Sequence, residues 1–202
     1  MPNWKIHLEI AKRLNKKFNY TQNKLEEFYL GNILPDINNC FIVKDISTKL
    51  EHKYTHYQDE IEIPSYKNFE KIYKNKIYEE PIIFGYYIHL YTDYTWNNYF
   101  YTNFNDNEKL RGLSHEEKRT LKQDDFKVYN NLFIDNKPKF LNKENLVEKS
   151  KKIDRISINK EDIEKVEKFL DEQIKTENTF KILTKEILDK MMCDTISHFQ
   201  EK

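Results

Sequence analysis

Residues that end or distort regular secondary structure are scarce in this 202-residue chain. It has three glycines and five prolines, whereas all-β folds normally need many turn residues of these types. The scarcity therefore argues against an all-β fold. Abundant Lys, Glu, Leu and Ile favour helices instead, and we expect an all-α protein.

Net charge, long apolar runs and paired cysteines are also absent from the sequence. The 34 Lys and Arg residues balance 34 Asp and Glu residues, so the chain has no excess of positive charge with which to bind nucleic acid. No stretch approaches about 18 apolar residues, so we expect no membrane span, and the N-terminal segment lacks the apolar core of a secretory signal. Cys40 and Cys193 form no CxxC pair and are expected to be reduced thiols. These features predict a cytoplasmic protein without a nucleic-acid partner.

Aromatic residues compensate for a low overall hydrophobic content. Hydrophobic residues make up 38% of the chain, but 14% of it is aromatic, and each Tyr or Phe buries a large area. The chain is therefore long and apolar enough for a folded core. We expect residues 1–202 to form a single helical domain, in which the charge-rich segment from about 142 to 202 forms a polar outer layer.

Apolar residues at helical spacing predict several amphipathic helices. The first extends over about residues 4–17, and the second begins after Thr21, a residue type that often caps helices. We expect the segment from Gly31 to Pro35 to end the second helix and to leave Asp36 in a loop. Further helices are predicted at residues 50–57, 65–73, 114–133 and 184–199.

The most apolar segment begins at Pro81 and continues to about Phe100. It is apolar on nearly all sides, a pattern typical of a helix buried at the centre of a bundle. A buried strand is the alternative, but the segment is too long for one. The expected architecture is a multi-helix bundle around this central helix.

His89 and Asp93 stand four residues apart on the predicted central helix. They lie on one helix face, about 40° apart around the axis, and can bind one cation together. An ionised Asp in an apolar helix must be paired or bound to a metal, because its burial alone costs many kcal/mol. No Lys or Arg lies between Lys76 and Lys109, so a metal ion is the expected local cation. A buried His–Asp ion pair without metal is the alternative.

Other His and Asp residues extend this pattern. His52 and His56 repeat the four-residue spacing, His7 lies on the first helix, and Asp36 lies in the predicted loop. Taken singly, they are typical of packing, surface and turn residues. Taken together with the pair on the central helix, they favour a metal site.

Two of the three glycines lie near these candidate ligands. Gly31 precedes Asp36, and Gly85 lies one turn before His89 on the same helix face. A missing side chain at Gly85 lets another backbone approach closely, which can offset roughly 1 kcal/mol of lost helix propensity. The glycines therefore add weight to the metal site.

Four short motifs occur in the first hundred residues. They are Met-Pro-x-Trp-x-x-His at 1–7, Tyr-Leu-Gly-Asn-Ile-Leu-Pro-Asp at 29–36, His-Lys-Tyr-Thr-His at 52–56 and Gly-Tyr-Tyr-Ile-His-Leu-Tyr-Thr-Asp-Tyr-Thr-Trp at 85–96. In this order they resemble the zinc-dependent phospholipase C family and its bacterial relatives of unknown substrate. The resemblance implies an all-helical phospholipase C/P1 nuclease-like bundle, whose cleft holds up to three zinc ions and hydrolyses phosphoester bonds.

The resemblance also implies a role for each matching residue. One zinc ion of the family is held by an Asp, a His and a His-x-x-x-Asp pair, which match Asp36, His56, His89 and Asp93. His56 is preferred to His52 because it occupies the Thr-His step of the motif, and His52 is the alternative ligand. His7 matches the family's N-terminal histidine and would help to hold a second metal, with Asp93 as the bridging ligand.

The chain departs from the family in two places. Secreted members bind zinc through the amine of a mature N-terminal Trp, whereas Trp4 lies three residues inside this sequence, so we expect that ligand to be missing or replaced. The histidines and the His-x-x-x-Glu pair that hold the third zinc have no match after Asp93, although Asp124 or Asp125 could supply a substitute carboxylate. We therefore expect one or two Zn²⁺ ions, with iron or manganese as alternative metals.

The expected function is metal-assisted hydrolysis of a phosphoric ester, with a small phosphoester or a phospholipid headgroup as substrate. The metal would activate a water molecule, and Asp36 would act as general base through an oxygen that stays off the metal. Tyr86 and Trp96 are candidate substrate-binding residues, with core packing as the alternative.

The alternative function is a helical metal-binding or interaction module without catalysis. A nucleotide phosphohydrolase of the HD type is disfavoured, because the sequence has no adjacent His-Asp dipeptide.

Overall fold

The computed structural model describes residues 2–60, 63–104, 107–133, 137–172 and 179–201. Over these residues the regular structure consists of α-helices and short 3₁₀ turns, without a strand. The expected all-α class is therefore confirmed. In the same residues, no helix combines the length and the apolar character that crossing a membrane requires.

The α-helices of the described residues are α1 (Trp4–Phe18), α2 (Gln22–Ile37), α3 (His52–Thr55), α4 (Ser65–Tyr73), α5 (Pro81–Phe104), α6 (His115–Asn130), α7 (Lys143–Ser150), α8 (Lys160–Asp171) and α9 (Lys185–Gln200). Two 3₁₀ turns lie at Glu108–Leu110 and Asn131–Phe133. The helices predicted near residues 4–17, 65–73 and 184–199 are confirmed. α3 is shorter than the predicted helix at 50–57, and the helix predicted at 114–133 changes to a 3₁₀ turn after Asn130.

α5 is the central helix that its apolar pattern predicts. Every residue from Pro81 to Leu90 is buried, and α5 packs most extensively on α2, with further contacts to α1, α4 and α9. Because α5 has neighbours on several sides, its apolar residues follow no single face. The same burial places His89 and Asp93 inside the bundle, with 0% and 5% of each residue exposed.

Glycines allow the backbones of α2 and α5 to touch. A Cβ atom on Gly31 of α2 would lie 2.2 Å from the carbonyl oxygen of Ile82 on α5. Conversely, a Cβ atom on Gly85 of α5 would lie 2.3 Å from the carbonyl oxygen of Phe28 on α2. The close backbone approach predicted at Gly85 is therefore confirmed, and the approaching backbone is that of α2. We call this reciprocal contact of Gly31 and Gly85 the glycine contact.

The predicted end of the second helix is wrong. α2 continues through Gly31 and Pro35 to Ile37, so that Asp36 lies in the last helical turn and not in a loop. A proline inside a helix costs about 3 kcal/mol because it removes a hydrogen bond and crowds the preceding turn. Burial of each large apolar side chain contributes roughly 1.5–3 kcal/mol, and this part of α2 fully buries Ile33, Leu34 and Ile37. Packing therefore outweighs the local signals that would end the helix.

The charge-rich C-terminal segment forms α7, α8 and α9, each with a buried stripe. On α8 the spacing predicts a stripe of Ile163, Val166, Phe169 and Leu170. Of these residues Ile163, Val166 and Leu170 are buried, and Phe169 is half-buried. α7 packs on α2 and α8, and α9 packs on α1 and α5. Within its described residues this segment covers the N-terminal helices with its apolar side and exposes its charged side.

Candidate metal centre

Five polar side chains from separate parts of the chain converge beside α5, and each belongs to a residue that is at most 5% exposed. α1 and α2 each supply one of them, the residue that follows α3 supplies another, and α5 supplies two. The five residues are His7, Asp36, His56, His89 and Asp93. The structure therefore brings together all the residues that match the preferred family ligands.

The ligand atoms of three of these residues form a nearly equilateral triangle, and a fourth residue approaches two of its corners. The Nε2 atoms of His56 and His89 lie 3.4 Å apart, and they lie 3.4 Å and 3.3 Å from Oδ2 of Asp93. Asp36 completes the group, with its Oδ1 atom 3.5 Å from Nε2 of His56 and its Oδ2 atom 3.8 Å from Nε2 of His89. A tetrahedral ion with bonds of 2.0–2.1 Å separates its ligand atoms by about 3.3–3.4 Å. These four side chains could therefore hold one small ion.

Backbone carbonyl groups orient the two central histidines. Nδ1 of His89 lies 2.7 Å from the carbonyl oxygen of Asn32, and Nδ1 of His56 lies 3.1 Å from that of His52. A carbonyl oxygen only accepts hydrogen bonds, so Nδ1 of each ring carries the hydrogen. The lone pair at each Nε2 atom is then directed into the centre, which is the arrangement that metal-binding histidines need. The side-chain amide of Asn39 similarly orients Asp36, by donating to its Oδ1 atom at 2.9 Å.

Asp93 connects this group to His7. Its Oδ1 atom lies 3.3 Å from Nε2 of His7, while its Oδ2 atom faces His56 and His89. Within the described part of the chain, neither carboxylate oxygen of Asp93 and neither ring nitrogen of His7 has a partner in hydrogen-bond geometry. Each buried polar atom left in this state costs about 1–3 kcal/mol. A cation between the two residues would satisfy Nε2 of His7 and Oδ1 of Asp93, as the predicted bridging role of Asp93 requires.

Burial and mutual contact set the charges of the cluster. Burial alone would raise the pKa of Asp93, but the charge of His89 and the contacts with His56 and His7 hold it well below its usual value. Burial alone would lower the pKa of His89, but the charge of Asp93 and its contact raise it. Burial and the nearby His89 lower the pKa of His7 to about 4. At neutral pH the centre therefore contains an ionised Asp93 and a neutral His7.

Metal affinity is expected to fall as the pH is lowered. Because Asp93 raises the pKa of His89, protons compete with the metal for Nε2 of this ring near neutral pH, and metal binding releases them. Titration calorimetry with zinc from about pH 8 down to pH 6, in buffers of different ionisation enthalpy, measures both the affinity and the released protons. An affinity that stays constant over this range, after correction for zinc–buffer binding, would contradict the competition.

His52 lies beside the centre and reaches solvent. Its ring stacks on that of His56, with centroids 3.7 Å apart, and its ligand atoms form a second close group with those of Asp36 and His56. His52 also lines a cleft of about 430 Å³, which we call the Asp36 cleft. The cleft is lined by Pro2, Asn3, Asp36, Phe41, Ile42, His52, Arg119 and Gln123.

A second cleft, of about 270 Å³, reaches the centre from another side. Asp93 lines it together with Lys53, Gln58, Glu60, Ile63, Pro64, Ser65, Tyr94 and Asn97. The two carboxylates of the centre therefore border different clefts. Both clefts offer a path for a small molecule or water to the candidate ligands.

The candidate substrate-binding residues Tyr86 and Trp96 line neither of these two clefts. Tyr86 is fully buried, donates its hydroxyl hydrogen to the carbonyl oxygen of Thr55, and stacks on Phe69 at 5.0 Å. Trp96 donates from Nε1 to Oγ1 of Thr195 at 2.9 Å, which connects α5 to α9. Both side chains therefore make packing contacts, and Trp96 also borders a separate pocket together with Tyr99 and Met191.

Asp124 and Asp125 do not supply a substitute carboxylate to the centre. Asp125 is fully buried and accepts backbone hydrogen bonds from Lys181, Ile182 and Leu183 at 2.6–2.8 Å. Asp124 forms ion pairs with Lys127 and Lys181. Both carboxylates connect α6 to the segment before α9.

Sequence reasoning missed a buried cation near the centre. Lys122 on α6 is 2% exposed, bonds Oδ1 of Asn97, and lies over the rings of Phe100 and Tyr101. Burial lowers its pKa to about 8, and the negative charge of Asp93 opposes this shift. The absence of Lys and Arg around α5 in sequence therefore does not exclude a nearby lysine in space. Only the packing of α6 against α5 shows it.

In comparisons with protein-family models, with curated proteins and with solved structures, the chain matches none of them. The resemblance of the four motifs to the zinc-dependent phospholipase C family therefore stays a prediction. What the structure adds is the convergence in space of residues that lie as much as 86 positions apart in the chain, from His7 to Asp93.

Proposed function

We propose that this protein is a metal-dependent hydrolase of phosphoric esters, with a small phosphoester or a phospholipid headgroup as substrate. The observation that carries the proposal is the spacing of 3.3–3.4 Å among Nε2 of His56, Nε2 of His89 and Oδ2 of Asp93. The carboxylate of Asp36 lies 3.5 Å and 3.8 Å from the same two Nε2 atoms. Mixed imidazole and carboxylate ligands suit Zn²⁺, with iron or manganese as alternatives. We propose one ion in this group and a second between His7 and Asp93.

We also propose that the chain belongs to the zinc-dependent phospholipase C family and has its phospholipase C/P1 nuclease-like bundle. Each of the four motifs supplies at least one of the five converging residues. The residues that converge in the structure are therefore the ones that the resemblance assigns as ligands. The motifs were matched by sequence alone, without any information on distances in space. Because the ligands of the family's third zinc have no match in this sequence, we propose a centre of one or two ions.

The residues of the centre have distinct roles in the proposed reaction. A bound metal would lower the pKa of a water molecule towards 7 and polarise the phosphoryl group. Asp36 borders the Asp36 cleft and is held by Asn39, and we assign it as the acceptor of the proton that the attacking water loses. The water oxygen bonds to phosphorus, the ester P–O bond breaks, and the leaving oxygen takes up a proton. His56 and His89 are fixed by their carbonyl partners and hold the site in position.

Phosphoesterase activity is expected to depend on metal and on Asp36. The Asp36→Asn variant should lose at least about 100-fold in kcat, because general-base catalysis typically contributes 10²–10⁴-fold. Release of nitrophenol from nitrophenyl phosphate and bis(nitrophenyl) phosphate, with zinc, manganese or iron added, measures the activity. Asp45→Asn is the matched control, since Asp45 is exposed and Asn tolerates its positive φ of 60°. If the unmodified protein turns over neither substrate faster than His89→Ala with any of these metals, the hydrolase proposal is wrong.

A structural metal site without catalysis is the second candidate function, and the deep burial of the ligands favours it. A structural ion has four protein ligands and no open position, whereas a catalytic ion keeps a position for water or substrate. X-ray absorption on the zinc-loaded protein counts the ligands. Replacement of a coordinated water by added phosphate would support the hydrolase, and a closed shell that phosphate leaves unchanged would support the structural site.

A further inference from the structure

The charge distribution of the Asp36 cleft is asymmetric. Among the described residues that line it, Arg119 is the only side chain with a permanent positive charge, and Asp36 is the only carboxylate. Arg119 lies on α6, and Gln123 follows it one turn later on the same helix face. α6 therefore contributes a guanidinium and an amide, both hydrogen-bond donors, to the cleft that Asp36 borders.

Arg119 is not used in a structural ion pair. No carboxylate of the described residues lies within ion-pair distance of it, whereas Arg13 and Arg155 are paired at 2.7 Å with Glu9 and Asp59. Its positive charge also acts unfavourably on the buried Lys122, three residues further along α6. An anion in the cleft would compensate the charge of Arg119 and would thereby reduce this repulsion.

We propose that Arg119, together with Gln123, binds the phosphoryl group of a phosphate monoester in the Asp36 cleft. This inference rests on the proposed function, because it names the substrate class of the same site. The planar guanidinium presents parallel N–H donors that match two phosphoryl oxygens. Gln123 adds an amide donor on the same side.

Charge balance distinguishes a monoester from a diester. The two carboxylates of the centre together neutralise one of the two proposed divalent ions, so that two positive charges remain there, and Arg119 adds another in the cleft. A monoester carries nearly two negative charges at neutral pH, and a diester carries one. The dianion therefore compensates more of this positive charge than the monoanion does.

The apolar part of the cleft lining suits an organic group. Phe41 is 71% exposed, and it lines the cleft together with Ile42 and Pro2. Covering such a ring with the organic part of the ester removes apolar surface from water. At about 430 Å³, the cleft is in the size range of small-molecule sites. The expected ligand is thus a monoester with an aromatic or alkyl group.

Binding of phenyl phosphate to the zinc-loaded protein, measured by titration calorimetry, tests this assignment. Arg119→Gln should weaken binding by about 10- to 100-fold, the loss expected for one charge-assisted contact, while the zinc content stays unchanged. Arg119→Lys should recover only part of the affinity, because a lysine lacks the planar fork. Arg111→Gln, at an exposed position outside the cleft, is the matched control and should bind like the unmodified protein.

Two outcomes would overturn the inference: an Arg119→Gln variant that binds phenyl phosphate as tightly as the unmodified protein, or tighter binding of diphenyl phosphate than of phenyl phosphate. The hydrolase proposal and the anion-site proposal can be rejected by different results. Binding of phenyl phosphate that depends on Arg119, without turnover of any ester, would support the anion site and reject the hydrolase. Ester turnover with the same KM and kcat in the Arg119→Gln variant as in the unmodified protein would support the hydrolase and reject the anion site.

Discussion

The Asp93→Asn variant is expected to lose its bound metal. One oxygen of Asp93 faces His7 and the other faces His56 and His89, so this single change removes the negative charge shared by both proposed ion positions. Changes to outer partners of metal ligands typically cost about 10–100-fold in metal affinity, and we expect at least about 100-fold for this direct ligand. Elemental analysis after dialysis against a defined zinc concentration measures the loss.

The unmodified protein should also gain thermal stability when zinc is added, because a ligand that binds only the folded state stabilises it. The Asp93→Asn variant should show no such gain at the same zinc concentration. Asp171→Asn is the matched control, since the Asp171 side chain is 72% exposed at the end of α8. A full zinc content in Asp93→Asn would show that the centre does not bind metal in the proposed way.

The Gly85→Ala variant is expected to be destabilised by about 3 kcal/mol or more. In an ordinary helix interior this change would stabilise the protein by up to about 1 kcal/mol, because alanine has the higher helix propensity. Here the new methyl group would lie 2.3 Å from the carbonyl oxygen of Phe28 and 2.9 Å from the backbone nitrogen of Asn32. Both are backbone atoms that cannot rotate away, so α2 and α5 must separate, and overpacking of this kind costs at or above the usual 1–3 kcal/mol.

Urea unfolding measures the free energy of unfolding of this variant. Gly112→Ala is the control: Gly112 has a φ of +79°, and a Cβ atom added there would meet no heavy atom of the described residues within 4 Å. Only the backbone conformation penalises alanine there, by about 1–2 kcal/mol. A Gly85→Ala variant that is as stable as the unmodified protein would mean that the two backbones are not in contact.

Sequence patterns predicted the central helix well but not the end of α2. An apolar segment that is too long for a strand is interpreted as a helix, and α5 begins at Pro81 as this interpretation predicts. Glycine and proline permit two interpretations, because the same residues end a helix in one context and allow close packing in another. Gly31 serves packing, since its partner is the backbone of Ile82, and no pattern within α2 alone indicates that partner.

The candidate site was predicted in part for a similar reason. The four-residue spacing of His89 and Asp93 fixes their common face once the helix is known, so that this pair could be found from the sequence. His89 is oriented by the backbone carbonyl group of Asn32. Every residue type has such a group, so the sequence gives no signal for this contact. Arg119 and Lys122 approach through the packing of α6, which depends on tertiary contacts rather than on local pattern.

The glycine contact has a consequence for the choice of ion. It fixes the distance between α2, which supplies Asp36, and α5, which supplies His89 and Asp93. A calcium ion has bonds of about 2.3–2.6 Å, compared with about 2.0–2.1 Å for zinc, and would need these ligands to lie further apart. The helices cannot move closer, and they can separate only by giving up their closest backbone packing. Discrimination against large cations is thus expected to depend on two uncharged residues that touch no ion, as well as on the ligands themselves.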